Sequence, residues 1–164
     1  MSKFISLATA ITLTGWSERT FWRRFADGSI LRNIGSETSG KSMVHLDSIL
    51  PHLCMPMDSG DLLLVIDADN GQSDAQADLA LLFLSNGKYK ESVHWLQLAV
   101  KHGHASAMHC LGRAYIDGNG VPKDENIGLM WIAKAAANGH VISQAQIQGL
   151  INGVATLLPT GRRS

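Results

Sequence analysis

Apolar residues near the start of the chain fall in short clusters. The stretch Leu7-Ala-Thr-Ala-Ile-Thr-Leu13 predicts a short apolar helix, and Thr14-Gly15-Trp16 predicts a turn. Ser17 stands at the N-cap of a second helix that runs through Phe25. Phe21 and Phe25 are four apart and face inward with Trp16, which leaves Glu18, Arg19, Trp22 and Arg23 mainly on the outer face. Asp27-Gly28 stops that helix. Residues 29–34 and 43–46 then predict two short strands around a turn at 35–42. Asp47 is placed to cap a last short helix to Leu53, disturbed by Pro51.

Beyond residue 60 the pattern becomes a repeat. Trp95 and Trp131 lie 36 positions apart, and Ala99/Ala135 and Gly103-His104/Gly139-His140 keep the same offset. A fixed period of this length marks stacked two-helix units. Reading back from Gly103, Gly71 falls 32 residues earlier and caps the end of a helix. The four missing residues belong to the loop between helices, 117–125 in the second repeat and only 85–88 in the first. The predicted array is an orphan helix at about 61–70, a pair at 74–86 and 89–102, a second pair at 105–117 and 124–138, and a last helix at about 141–153. In that last helix Ser143 takes the slot of Ala107, and Ile147 that of Leu111. Ala75, Ala80, Ala107, Gly112, Ala135 and Ala136 allow close helix approach. Leu79, Phe83, Leu111, Tyr115, Trp95 and Trp131 fill the layers between. Residues 159–164 read as a frayed tail.

The run Ala107-x-x-x-Leu111-Gly112-x-x-Tyr115-x-x-Gly118-x-Gly120-Val121-x-x-Asp124, followed by Trp131-x-x-Lys134-Ala135-Ala136-x-x-Gly139, closely resembles the Sel-one-like repeat (SLR) family. The match is specific over 105–140 and looser over 73–104. Gly128 stands where the family usually has Ala, and the first repeat lacks the Gly-x-Gly-Val loop. The resemblance implies a TPR-like α-solenoid of antiparallel helix pairs that scaffolds protein contacts and has no catalysis of its own. Exposed residues of the first helices, His109, Arg113 and Asp117, are the expected partner contacts.

At the other end, Gly15-Trp-Ser17-Glu-Arg-Thr20-Phe-Trp-Arg23-Arg-x-x-x-Gly28 resembles the winged helix-turn-helix of the MerR and phage-excisionase group. By that resemblance Arg19, Thr20, Trp22, Arg23 and Arg24 face DNA, with Lys41 on the wing. Charge tempers the expectation. Residues 1–54 hold six Lys and Arg against four Asp and Glu, a balance of +2. Affinity for DNA rests on neutralised phosphates, so one such head binds weakly and a homodimer reading two half-sites binds better.

The whole chain of 164 residues has a formal net charge of zero, so no global field steers it to nucleic acid or acidic lipid. A 45% hydrophobic composition supports a packed core and argues against disorder. Residues 55–78 carry six aspartates and no Lys or Arg, most simply a solvated helix start and joint. Cys54 and Cys110 have no CxxC spacing and read as buried free thiols of a reducing, cytoplasmic setting. No apolar run reaches the roughly 20 residues that span a bilayer. Lys3 and residues 4–14 imitate a short signal peptide, but Ser and Thr interrupt the run and an Arg-rich helix follows it.

Other motifs lose to their context. Gly35-Ser-Glu-Thr-Ser-Gly40-Lys41-Ser42 matches GxxxxGKS, and Leu62–Asp67 mimics a magnesium-binding strand. A phosphate loop needs a buried strand before it and a long helix after it, and neither is predicted. His102, His104, His109 and Cys110 suggest zinc, yet His104 and His140 share one repeat position, and His109 and Cys110 point apart. Asp67-Ala-Asp69-Asn70-Gly71 suggests a calcium loop with its glycine one place early, and reads better as a helix end. No metal or cofactor is expected.

The chain thus reads as a mainly α protein in three parts: a winged helix-turn-helix head at 1–54, an acidic joint and orphan helix at 55–73, and helical repeats at 74–158. The leading expectation is a bacterial-type, non-enzymatic adaptor that binds DNA through the head and an unidentified protein through the concave face of the repeats. The alternative is a purely protein–protein scaffold whose head is a docking module. A nucleotide-binding protein acting through 35–42 is the third.

Overall fold

The computed structural model describes residues 4–34 and 42–157. Lys41, the rest of the expected turn up to residue 41 and residues 158–164 lie outside the described residues.

In the head, β1 (Phe4–Ser6) leads into α1 (Leu7–Thr14), and a turn then leads into α2 (Glu18–Ala26). Each helix starts on a serine. Ser6 accepts a hydrogen bond from the Thr9 amide and Ser17 from the Thr20 amide, which satisfies one orphan donor per helix. β2 (Arg32–Ile34) is half the expected length, β3 (Ser42–His45) has the expected length but starts one residue earlier, and β3 is the centre of an antiparallel sheet ordered β1-β3-β2. The pairing of Phe4–Ser6 with β3 was not expected, because three residues are too few for alternation to declare itself. Ile5 lies opposite Val44, and both are fully buried. Asp47 does not cap the next helix. α3 (Leu46–Ile49) has His45 at its N-cap with no side-chain bond, Asp47 lies in its first turn, and a 3₁₀ turn at Leu50–His52 replaces the rest as Pro51 enters.

The remaining helices follow the expected array closely: α4 (Ser59–Asp69), α5 (Ser73–Ser85), α6 (Tyr89–Val100), α7 (Ala105–Asp117), α8 (Glu125–Ala137) and α9 (Val141–Leu157). α9 runs four residues past its expected end. α4 opens with a reciprocal capping box between Asp58 and Asp61, so two of the joint's aspartates serve as caps. Successive helices from α4 to α9 pack on one another, and the intra-repeat pairs α5/α6 and α7/α8 are the tightest.

Small residues set the approach of α7 and α8. A Cβ on Gly112 would lie 2.9 Å from the Gly128 carbonyl oxygen, and one on Gly128 would lie 2.5 Å from Ile116 Cγ1. Gly128 therefore departs from the alanine of the repeat pattern because Ile116 fills the space that a methyl group would take.

Head and repeats share one continuous apolar core, which runs from Ile5 and Leu13 through Val65, Leu79 and Trp95 to Leu111. The joint is clasped by Asp69, at the end of α4. Its carboxylate accepts from the Ser6 amide at 2.9 Å, from the Ser6 hydroxyl at 2.6 Å, and from the Thr9 hydroxyl. The aspartate read as part of a solvated joint is thus half-buried and tied to the head. Asp69→Ala leaves three donors without their acceptor and is expected to cost about 2 kcal/mol. Urea denaturation checks this, and an unchanged midpoint would show that water replaces the clasp at no cost.

Candidate functional site

The residues expected to meet DNA separate into two groups. Arg19, Trp22 and Arg23 are exposed on the outer face of α2, as the i, i+4 pattern predicts. Phe21 is buried, and Phe25 packs on it with ring centroids 5.9 Å apart. Arg24 instead turns back over Trp16, its guanidinium carbon 4.1 Å from the ring centroid and its Nε buried without a hydrogen-bond partner. The Thr20 hydroxyl is shared with that of Ser17 at 3.0 Å, within the N-cap. Glu18 accepts from Trp22 Nε1 at 3.1 Å, which places a carboxylate beside the exposed indole. Arg32, which the sequence did not single out, lies over Trp22 with its guanidinium carbon 4.7 Å from the ring. Lys41 lies outside the described residues.

The three residues expected to meet a protein partner come together. His109, Arg113 and Asp117 succeed one another at four-residue intervals along α7 and line one groove of about 270 Å³ between α5, α6 and α7. Its floor is apolar and includes Leu84, Val93, Leu96 and Ala114. Arg113 and Asp117 form an exposed ion pair at 3.3 Å, of the kind that contributes little to stability. That pair uses one guanidinium nitrogen. The floor was missed because it gathers residues from three helices. Leu84 and Tyr89, which border it, are exposed apolar residues, an exposure that only the folded structure reveals.

His109 was expected to be exposed and is half-buried. Its ring stacks on His140 at 4.4 Å, and Nδ1 of each lies within hydrogen-bonding distance of the buried Ser143 hydroxyl, at 2.8 and 2.9 Å. The recurrence of histidine at 104 and 140 also has its reason here. Nδ1 of each accepts the amide three residues on, Ala107 at 3.1 Å and Ser143 at 3.2 Å, so both histidines act as N-caps. His104 Nε2 faces Asp74 at 3.4 Å. Among the described residues no group of three or more metal-ligating side chains is assembled.

Burial, then His140 and then Arg113, hold the imidazole of His109 below its usual range. Burial and Lys101 do the same for His94. Below pH 6.5, the ordinary histidine value, the unfolded chain binds protons that the folded chain resists. Stability from these groups is therefore complete above that pH, falls as pH drops, and levels off once the lowered folded values are passed. The urea midpoint is expected to decline from pH 7 to pH 5, and less steeply in His109→Gln. Equal slopes for the two proteins would remove His109 from the account.

Cys54 and Cys110 are half-buried free thiols, less enclosed than expected. Burial raises both, which keeps them protonated and poorly nucleophilic near neutral pH. Among the described residues no helix is long and apolar enough to cross a membrane.

Comparison with known proteins bears on the repeats. Residues 73–104 and 105–140 each match the Sel1 repeat model. The Sel1 repeat protein from Oxalobacter formigenes superposes with a TM-score of 0.50 at 26% identity, over 79% of this chain and 84% of that one. A protective antigen of uropathogenic Escherichia coli strains, which displays an SLR fold, aligns at 26% identity and a TM-score of 0.49, over 53% of this chain. This chain spans only 20% of that protein's length. No curated protein matches the chain. The two matched repeats and α9 form the solenoid expected from the period, and the family match begins only at residue 73.

Proposed function

With two Sel1 repeats at residues 73–140 as its working part, we propose that this protein is a non-enzymatic scaffold that binds another protein through its repeats, with the head packed against them as a docking module. One observation carries the reading. His109, Arg113 and Asp117, chosen from the repeat pattern alone, line a single groove with an apolar floor and a charged rim. An apolar centre edged by polar groups is the anatomy of a protein interface. The shared core supports a head that stiffens the array from one end, since α1 packs on α6 and Asp69 ties α4 to β1 and α1.

A triple variant, His109→Ala with Arg113→Glu and Asp117→Lys, tests this reading. Arg113 and Asp117 are exposed, whereas His109→Ala also removes the stack on His140 and the bond to Ser143, so circular dichroism must first show that the variant keeps the native fold. Partners co-purified with the native chain are expected to be lost with the variant. Capture of the same partners in the same yield would overturn the groove as the contact.

A second reading keeps DNA for the head, favoured by the exposed row of Arg19, Trp22 and Arg23 beside Arg32. It predicts duplex binding that weakens steeply with salt and is lost in Arg19→Ala/Arg23→Ala. Binding that is flat across the salt series ends it.

A further inference from the structure

His109 of α7 and His140, the residue before α9, meet over one buried hydroxyl, and their bonds fix where each proton sits. His140 Nδ1 accepts the Ser143 amide at 3.2 Å, so it carries no proton of its own. The Ser143 hydroxyl, 2.9 Å from the same nitrogen, therefore donates to it. That leaves the Ser143 oxygen to accept from His109 Nδ1 at 2.8 Å. The bonds run one way, from His109 through Ser143 to His140, and both rings are neutral. Little else seats α9. Over residues 141–153 Ser143 is the one buried side chain, and Ile147 is half-buried. The helix packs on α8, with a bond from Gln144 Nε2 to the Ala136 carbonyl at 3.1 Å, and Gly139 at φ +88° forms the joint.

We propose that His109, Ser143 and His140 form a pH-sensitive latch that seats α9 on the array at neutral pH and releases it in acid. The latch is independent of what the groove binds. A further proton on His140 has only Nδ1 to occupy, and there it displaces both bonds that Nδ1 accepts. It also sets a positive charge at the N-terminus of α9, against the helix dipole, and against the His109 ring stacked 4.4 Å away. The surrounding groups do not offset that charge. Arg113 of α7 and Lys134 of α8 are cations, and Asp117 is engaged with Arg113. Tyr89 and Cys110 on the groove wall gain no charge in acid, and α9 has no charged residue. Burial and His140 already hold His109 below its usual range, so the neutral latch is complete at pH 7 and weakens below pH 6.5. The preceding repeat supplies a control. His104 caps α7 as His140 caps α9, but Asp74 faces its Nε2 at 3.4 Å and partly offsets an added proton. At the 32-residue offset of the first helices, Ser106 replaces Asp74. Acid is therefore expected to free α9 and leave α7 capped.

Hydrogen exchange of the full chain tests the latch, with protection corrected for the pH dependence of the exchange chemistry itself. Each proton taken up on release is worth about tenfold per pH unit below the transition, so the protection of amides 144–152 is expected to fall by about tenfold or more from pH 7 to pH 5. Amides 108–116 of α7 are expected to change much less. His140→Asn keeps a capping side chain without a titrating group and is expected to flatten the α9 profile. In the native chain, an NMR titration of the histidine rings is expected to show His140 and the α9 amides changing at the same pH. Protection of α9 that is equal at the two pH values, or already absent at pH 7, overturns the latch. So does a fall shared equally by every helix, or the native profile retained in His140→Asn. Should His140→Asn lose α9 at pH 7, the native titration decides: a His140 ring that charges at a pH apart from the release of α9 overturns the latch, and a shared midpoint upholds it.

Discussion

Trp95→Ala is expected to cost about 3–5 kcal/mol of folding stability, the range for truncating a buried large aromatic. Trp131→Ala, the same position one repeat later, is expected to cost about half as much, because less apolar surface leaves water there. Trp95 is 1% exposed, on a helix packed by α5, by α7 and by α1 of the head. Trp131 is half-buried on α8, which is packed by α7 and α9, and the Lys134 ammonium stands 4.5 Å from its ring. Trp95 Nε1 is buried without a hydrogen-bond partner, so the indole contributes volume and no bond. Trp95→Phe is accordingly expected to cost about 1–2 kcal/mol, most of it cavity. Urea denaturation followed by far-ultraviolet circular dichroism measures all three variants. Equal losses from the two alanine variants would show that the head does not bury the first repeat.

The second large effect belongs to a loop. Gly120 has φ of +76°, and a Cβ there would lie 2.4 Å from the Tyr89 carbonyl oxygen and 2.6 Å from its carbonyl carbon. Gly120→Ala therefore combines left-handed backbone strain with a collision against main chain, and is expected to cost about 2–4 kcal/mol. Gly118 has nearly the same φ, but its nearest obstacle is the Lys123 side chain at 3.2 Å. Gly118→Ala is expected to cost about 1 kcal/mol. The difference between the two midpoints isolates the contact with Tyr89. If the variants melt together, the loop at 117–124 is not pressed against the start of α6. The Gly-x-Gly-Val loop is on this account a strut between repeats. The first repeat has no counterpart, and its α5 and α6 join through the short turn at 86–88.

The period of the tryptophans, glycines and histidines by itself determined the helical array. A stacked repeat needs the same small, large and capping residues at each turn of the stack, so its architecture is written locally and redundantly. The same is true of α2, whose N-cap serine and Phe21/Phe25 pair lie within nine residues. The rim of the groove was also legible, since His109, Arg113 and Asp117 share one helix face. What needed the tertiary structure was every contact between elements distant in the chain. β1 is three residues long and exists as a strand because β3 offers it partners. Asp69 looked like solvated charge and is a clasp because Ser6 and Thr9, some sixty residues earlier, converge on it. Arg24 carries the same charge as Arg23, but Trp16 lies close enough to cover it. The apolar floor takes residues from α5, α6 and α7. Periodicity reports which way a side chain leaves its own helix. Only packing decides what that side chain meets.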